Sequence, residues 1–278
     1  MQEIKQYDDE TLKHIQNVEL MILKDLIQIC EENDIEYYAY CGTALGAIRH
    51  QGFIPWDDDV DIIMFREDYE RFLNIMKSDK YSKYELLNLE TTDDYLFMCS
   101  KMSLKGTKRD EVWARNTSFD AGIHIDIFMF DSAPSSKFKW SIYYYKCQFL
   151  KLLSDTLIVI KNDIYYTNSR KIIGKLIKSL FGLLHISDST FIKLYKKFVD
   201  NTNQNDELVY QIESNSYKKP LPKEIFRPPK KVKFESIEIN VPNDVEYYLT
   251  VMYGDYMKLP PEDERYVHFS ESIDFGEY

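Results

Sequence analysis

The chain has 278 residues, 44% of them hydrophobic, and a formal net charge of −11. That is room for a packed core in one large or two small domains, which excludes a disordered chain, and the acidic balance argues against a general nucleic-acid binder. The charged start "MQEIKQYDDE" has no apolar signal core, no apolar run approaches the ~20 residues of a membrane span, and Cys30, Cys41, Cys99 and Cys147 show no CxxC spacing, so a cytoplasmic protein with reduced thiols is expected.

In chain order, Asp9 or Thr11 is positioned to cap a long helix in which Leu12, Ile15, Val18, Ile22, Leu26 and Ile29 recur at spacings of three and four. "YYAYC" then reads as a strand, "GTALGAIRH" as a short helix and "VDIIMF" as a buried strand. A helix follows with Tyr69, Phe72, Leu73 and Met76 on one side, and "GIHIDIFMF" alternates with period two. From Lys137 to Asn201 the pattern is helical. "KKVKFESIEINVP" reads as a hairpin turning at Glu235 and Ser236, and Asn243 with Glu246 matches a capping box for a helix that Gly254 ends. The expected architecture is α+β: a strand-rich part over 1–136, a helical insertion over 137–205, and closing strands and a helix over 206–278.

"PWDDDVDII" carries the chemistry. In an extended chain Asp57, Asp59 and Asp61 share one side, while Asp58 and Val60 point away. Neighbouring carboxylates on that side would lie ~7 Å apart and repel by ~2.4 kcal/mol at an effective dielectric constant of about 20. A cation relieves this, and hard oxygen ligands suit Mg²⁺ or Mn²⁺. A solvated acidic turn after Pro55 is the alternative. An EF-hand is excluded, because Ile62 stands at the required turn glycine and Asp68 at the closing glutamate.

Gly42 and Thr43 open the short helix that precedes this segment. Glycine admits a phosphate to the backbone amides and threonine adds a hydroxyl donor, so a phosphate clamp and a metal clamp fall on neighbouring strand ends, as phosphoryl or nucleotidyl transfer requires. Asp126, an acid inside the otherwise apolar "GIHIDIFMFD", is either a hydrogen-bonded structural acid or a third carboxylate, as ligand or as base for an attacking hydroxyl.

"GTALGAIRHQGFIPWDDDVDI" resembles the signature of the LicD family and of the related fukutin-related proteins; "GIHIDIFMFD" is similar to the family's second block and "YGDYMKLPPEDERYVHF" to its closing block. Met129 and Phe130 stand where the family commonly has Pro-Leu. The resemblance implies a nucleotidyltransferase-like mixed β-sheet flanked by helices. It implies transfer of a phospho-alcohol, most often phosphocholine from CDP-choline, to a hydroxyl of a cell-surface glycan such as teichoic acid, capsule or lipopolysaccharide, with release of CMP. It puts Gly42 and Thr43 at the phosphate turn, Asp59 and Asp61 at the metal-binding Asp-x-Asp with Asp57 as a further ligand, and Asp126 at the third acid. Two other readings stay open: a nucleotidyltransferase that attaches the nucleotide itself, and a non-catalytic glycan-binding module on the same fold.

Arg49, Lys101 and Arg265 are candidates for the donor phosphates, Arg49 foremost because it lies within the first block; His268 belongs to the closing block. Trp56 offers an aromatic face for a quaternary ammonium, or is core. "RKIIGKLIKSLFGLLHI" is a basic amphipathic segment that either packs on the core or lies on the cytoplasmic leaflet, reaching a lipid-linked acceptor.

Overall fold

A computed structural model describes residues 6–164, 168–202, 206–214, 216–265 and 267–278. Helix α1 (Asp9–Glu32) is capped by Asp8, one residue earlier than expected: its carboxylate accepts from the Thr11 amide at 2.9 Å and the Thr11 hydroxyl at 2.7 Å. Ile15, Val18, Ile22, Leu26 and Ile29 form its buried stripe. Strand β1 (Tyr37–Ala39), helix α2 (Cys41–Arg49), strand β2 (Asp61–Phe65) and helix α3 (Arg66–Ile75) follow in the expected order. Strands β3 (Tyr84–Leu87) and β4 (Ser100–Leu104), which the sequence reading did not assign, form an antiparallel pair. After β5 (Lys108–Arg109) comes β6 (His124–Ala133), the longest strand.

Between β6 and β7 (Leu208–Tyr210) the described residues form the helices α4 (Lys137–Asn162), α5 (Asn168–Leu183) and α6 (Asp188–Asp200). The chain continues with β8 (Leu221–Pro222), the hairpin β9 (Lys230–Phe234) and β10 (Ile237–Val241), helix α7 (Val245–Tyr253), and β11 (Ile273–Asp274). Glu235 takes a left-handed φ of 53° at the hairpin turn, as placed from sequence. The α7 cap is Asp244 rather than Asn243, accepting from Tyr247 N, and Gly254 at φ 68° ends the helix.

The main sheet runs β1-β2-β6-β4-β3, with β7 on the far half of β6 and β8 on β7. Among the described residues only β2 and β6 pair in parallel, and their Ile62, Ile63, Met64, Ile125, Ile127 and Met129 are buried, as expected for strands covered on both faces. This is a mixed α+β fold. Its consequence for the site is register. Asp61 pairs with Asp126 across β2 and β6, and Asp126 pairs with Lys101 across β6 and β4. Three charged side chains therefore stand side by side on adjacent strands.

Candidate functional site

The aspartate segment is extended, but the strand starts only at Asp61; residues 57–60 approach it unpaired. The alternation expected of it survives. Asp58 and Val60 are fully buried, whereas Asp57, Asp59 and Asp61 keep partial exposure. Two hydrogen bonds fix the strand entrance: the Thr43 hydroxyl accepts from the Asp61 amide at 2.8 Å, and the Tyr40 amide donates to the Asp61 carbonyl at 2.9 Å. Thr43 is itself buried, so its first task is to tie the start of α2 to the start of β2. Gly42 likewise serves the acids. A Cβ there would lie 2.7 Å from the Asp57 carboxylate oxygen Oδ2, so the missing side chain is the space that Asp57 occupies.

Burial, and then the charge of Asp59, push the carboxyls of Asp57 and Asp61 well above the usual carboxylate range. Asp126 adds to the push on Asp61, and the imidazole of His268 only partly offsets it. Asp57 and Asp61 thus favour a bound proton, or a cation, more than an ordinary carboxylate does.

Asp126 behaves differently from the third acid expected. Both its oxygens are taken by the Lys101 ammonium, at 2.5 and 2.7 Å. Burial disfavours its charge, yet Lys101 outweighs that and holds the carboxyl below its ordinary value. Lys101, expected at the donor phosphates, is instead buried; burial works against its charge, but Asp126 keeps it firmly protonated. The ring of Trp113 lies 5.1 Å from its ammonium and that of Phe97 5.5 Å, favourable for a cation. His124 Nε2 stands 3.6 Å from Asp126, while Nδ1 donates to the Gly122 carbonyl at 2.8 Å. Burial, then Lys101, push this imidazole down to about 3, so it is neutral.

The far side of the aspartate segment is anchored by a residue the sequence reading did not single out. Arg109 donates through Nη2 to Asp58 Oδ2 at 2.7 Å and through Nη1 to the Asp58 carbonyl at 3.1 Å. It also meets Glu111 at 3.0 Å, the buried Glu19 at 3.4 Å and the Ser270 hydroxyl at 3.2 Å. The other oxygen of Asp58 accepts from the His268 amide at 2.9 Å. The closing block is thereby drawn to the aspartates, and His268 Nδ1 comes 3.3 Å from Asp59. Asp58, then Asp59, push this imidazole up to about 12, although 55% of the side chain is open to water, which screens both.

The remaining expected residues are employed locally. Arg49 donates to the Tyr256 carbonyl and to His50 Nε2, both at 2.9 Å, and burial lowers its pKa. Arg265 stacks on Trp56, 4.4 Å from the ring centroid, so that face of Trp56 already holds a cation. Tyr253, at the end of α7, is a neighbour missed in the sequence: burial first, then Cys41 and the charges of Asp61, Asp57 and Asp59, raise its phenol. In the closing block Tyr266 lies outside the described residues.

As they stand, no three His, Cys, Asp or Glu side chains among the described residues are arranged to hold a metal ion. The foursome Asp57, Asp59, Asp61 and Asp126 does not close on one point, because Lys101 holds Asp126 and His268 draws Asp59. The chemistry on offer is two uncompensated acids, a third beside an imidazole, and an ionised carboxylate locked to an ammonium at the same sheet edge.

The family described as "LicD/FKTN/FKRP, nucleotidyltransferase domain" matches residues 34–156, a span that includes α2, the aspartate segment, β4 and β6. The chain is 32% identical over 271 residues to the lipopolysaccharide cholinephosphotransferase LicD of Haemophilus influenzae, covering 93% of this chain and 96% of that protein. Shorter matches are to uncharacterized proteins of Rickettsia typhi, 38% identical over 84 residues and 26% of its length, and Rickettsia prowazekii, 42% over 67 residues and 24%.

Proposed function

The chain belongs to the LicD family, and from that premise we propose that it is a transferase moving a phospho-alcohol, phosphocholine before others, from a CDP-alcohol to a hydroxyl of a cell-surface glycan. CMP leaves, and the core is a nucleotidyltransferase-like unit built from 1–136 and 206–278 around the insertion. We place it in the cytoplasm, where nucleotide-activated donors are supplied. What supports the reading is the crowding of acids at the entrance of β2: Asp57 and Asp61, half-buried and with carboxyls pushed up by burial and by Asp59, on the strand next to Asp126.

Carboxylate oxygens under mutual repulsion favour a hard divalent cation; no three of them are arranged for one as they stand, so Asp57, Asp59 and Asp61 would hold it only with Asp59 turned from His268. Mg²⁺ or Mn²⁺ bound there would supply neutralising charge to the donor diphosphate and the departing nucleotide. The protein's own groups do the rest. Gly42 leaves room for the Asp57 carboxylate, and Thr43 fixes the backbone of Asp61. Asp126, kept ionised by Lys101, is a weak base but a strong hydrogen-bond acceptor, so it orients the attacking hydroxyl rather than stripping its proton. Transfer is roughly in line: the acceptor oxygen bonds to the phosphorus bearing the alcohol as the bond to the CMP oxygen breaks, and the hydroxyl proton passes to solvent or a neighbouring base.

The test is a panel of CDP-choline, CDP-ethanolamine, CDP-glycerol and CDP-ribitol, with Mg²⁺ and crude cell-surface glycan, read as CMP release and phospho-alcohol transfer. Turnover that Asp61→Asn abolishes without unfolding supports the reading. Pyrophosphate released from a nucleoside triphosphate, with the nucleotide retained on the acceptor, would establish nucleotidyl transfer instead.

A further inference from the structure

The segment between β6 and β7 has the opposite charge to the rest of the molecule. Residues 137–200 carry twelve Lys and Arg against four Asp and Glu, a surplus of eight positive charges in a chain whose total is −11; the remainder is therefore −19. The same helices turn apolar residues outward. On α4, Phe138, Ile142, Tyr145, Phe149 and Leu152 are 45–76% exposed at spacings of four and three, one continuous stripe. On α5, Ile172, Ile173, Leu176, Leu180 and Leu183 are 49–75% exposed, while Gly174, Ile177 and Phe181 turn inward. The sequence left open whether the apolar side of α5 packs on the core; most of it does not.

The lysines border these stripes. Successive helical residues are 100° apart, which places Lys139 and Lys146 along one margin of the α4 stripe; on α5 Lys175 stands about 60° beyond one margin of the stripe, with Lys171 and Lys178 further round the same exposed side. None of these five forms an ion pair among the described residues, unlike Lys151 and Lys161 of the same segment. Between α4 and α6 lies a groove of about 840 Å³ whose lining includes Ile142, Phe149 and Leu194 together with Lys139, Lys146 and Lys197. No helix among the described residues is long and apolar enough to cross a membrane.

Apolar stripes edged by unpaired lysines match the interface of a bilayer, with acyl chains under the stripe and anionic headgroups along its margin. We propose that α4 and α5 dock this protein on a membrane surface rich in anionic lipid. A second copy of the chain is the poorer occupant, because a two-fold pairing of these faces would bring lysine rows of like charge together. The inference rests on the insertion alone and is measured without turnover.

The experiment is sedimentation of the full-length protein with vesicles of phosphatidylcholine alone and with vesicles in which about a third of the lipid is phosphatidylglycerol. Binding at least about tenfold tighter to the anionic vesicles is expected, weakened by salt at about 1 M, where the screening length falls to about 3 Å. Lys171→Glu/Lys175→Glu/Lys178→Glu and Phe149→Ser/Leu152→Ser are each expected to weaken it about tenfold or more while leaving the circular-dichroism spectrum and thermal midpoint unchanged, since every substituted side chain is exposed or half-exposed. Equal binding to both vesicle types, or undiminished binding by either variant, overturns the inference. So does a dimer in light scattering that Phe149→Ser/Leu152→Ser dissociates, which would assign the stripe to a second copy.

Discussion

Lys101→Met removes the ammonium that both oxygens of Asp126 accept from, and its cost can be bounded. At an effective dielectric constant of about 20, charges 2.7 Å apart attract by ~6 kcal/mol. Part of that only offsets the desolvation of the two ions, so losing one partner of such a buried pair costs ~3–5 kcal/mol. The side chains are 7% and 20% exposed, so water screens little of it. For a chain of this size the thermal midpoint should fall by ~6–10 °C. The sign with pH is also fixed. The lowered Asp126 contributes stability above the ordinary aspartate value near 3.9, lost as pH falls through its folded value; the raised Lys101 contributes below about 10.4, lost as pH rises through its own. Between about pH 4 and pH 10 the wild-type pair contributes fully. In Lys101→Met, Asp126 becomes a buried acid beside Asp61 that gains by protonation, so the deficit should be smaller at pH 5 than at pH 8. The assay is urea unfolding of wild type, Lys101→Met, Asp126→Asn and the double variant at both pH values. The double variant, with no buried charge at either place, should recover to within ~1–2 kcal/mol of wild type. A loss below ~1 kcal/mol in Lys101→Met, or a double variant as unstable as the sum of the singles, would refute the pairing.

Two further outcomes follow from the acid cluster. Gly42→Ala puts a methyl group 2.7 Å from Asp57 Oδ2, so the carboxylate must move; CMP release from CDP-choline should fall at least about tenfold, with stability changed by only ~1 kcal/mol because Ala suits a helix. Raised pKa values at Asp57 and Asp61 mean that these two carboxyls bind protons more readily in the folded state than in the unfolded one, so their contribution to the stability of the metal-free protein, read as wild type against Asp57→Asn/Asp61→Asn, should grow as pH is lowered from 8 towards 5. Excess Mg²⁺ should flatten that slope in thermal melts, and a slope of the opposite sign without metal would contradict the assignment.

Much of this architecture was legible locally. The helix–strand sequence from α1 to α3, the alternation in β6, the β9–β10 turn at Glu235 and the end of α7 at Gly254 each follow from residues close together in the chain. So does the outward alternation of Asp57, Asp59 and Asp61. What stayed hidden depends on pairing between distant segments. β4 is Ser-Lys-Met-Ser-Leu, with no β-branched residue, and only its register against β6 puts Lys101 beside Asp126. Arg109 sits on a two-residue strand, and nothing nearby in sequence shows that it grips Asp58. The caps were misplaced by a residue because Asp8 and Asp9, like Asn243 and Asp244, are equally good acceptors; backbone direction chose between them.

The central claim is that the acids at the mouth of β2 tolerate one another by sharing a divalent cation. Titration of the purified protein with Mn²⁺, followed by electron paramagnetic resonance, tests it most directly. Binding to wild type that is lost in Asp61→Asn but kept in Asp126→Asn, where the substituted residue belongs to the lysine pair, is the predicted result. No bound Mn²⁺ in wild type, or binding that survives Asp61→Asn unchanged, would contradict it.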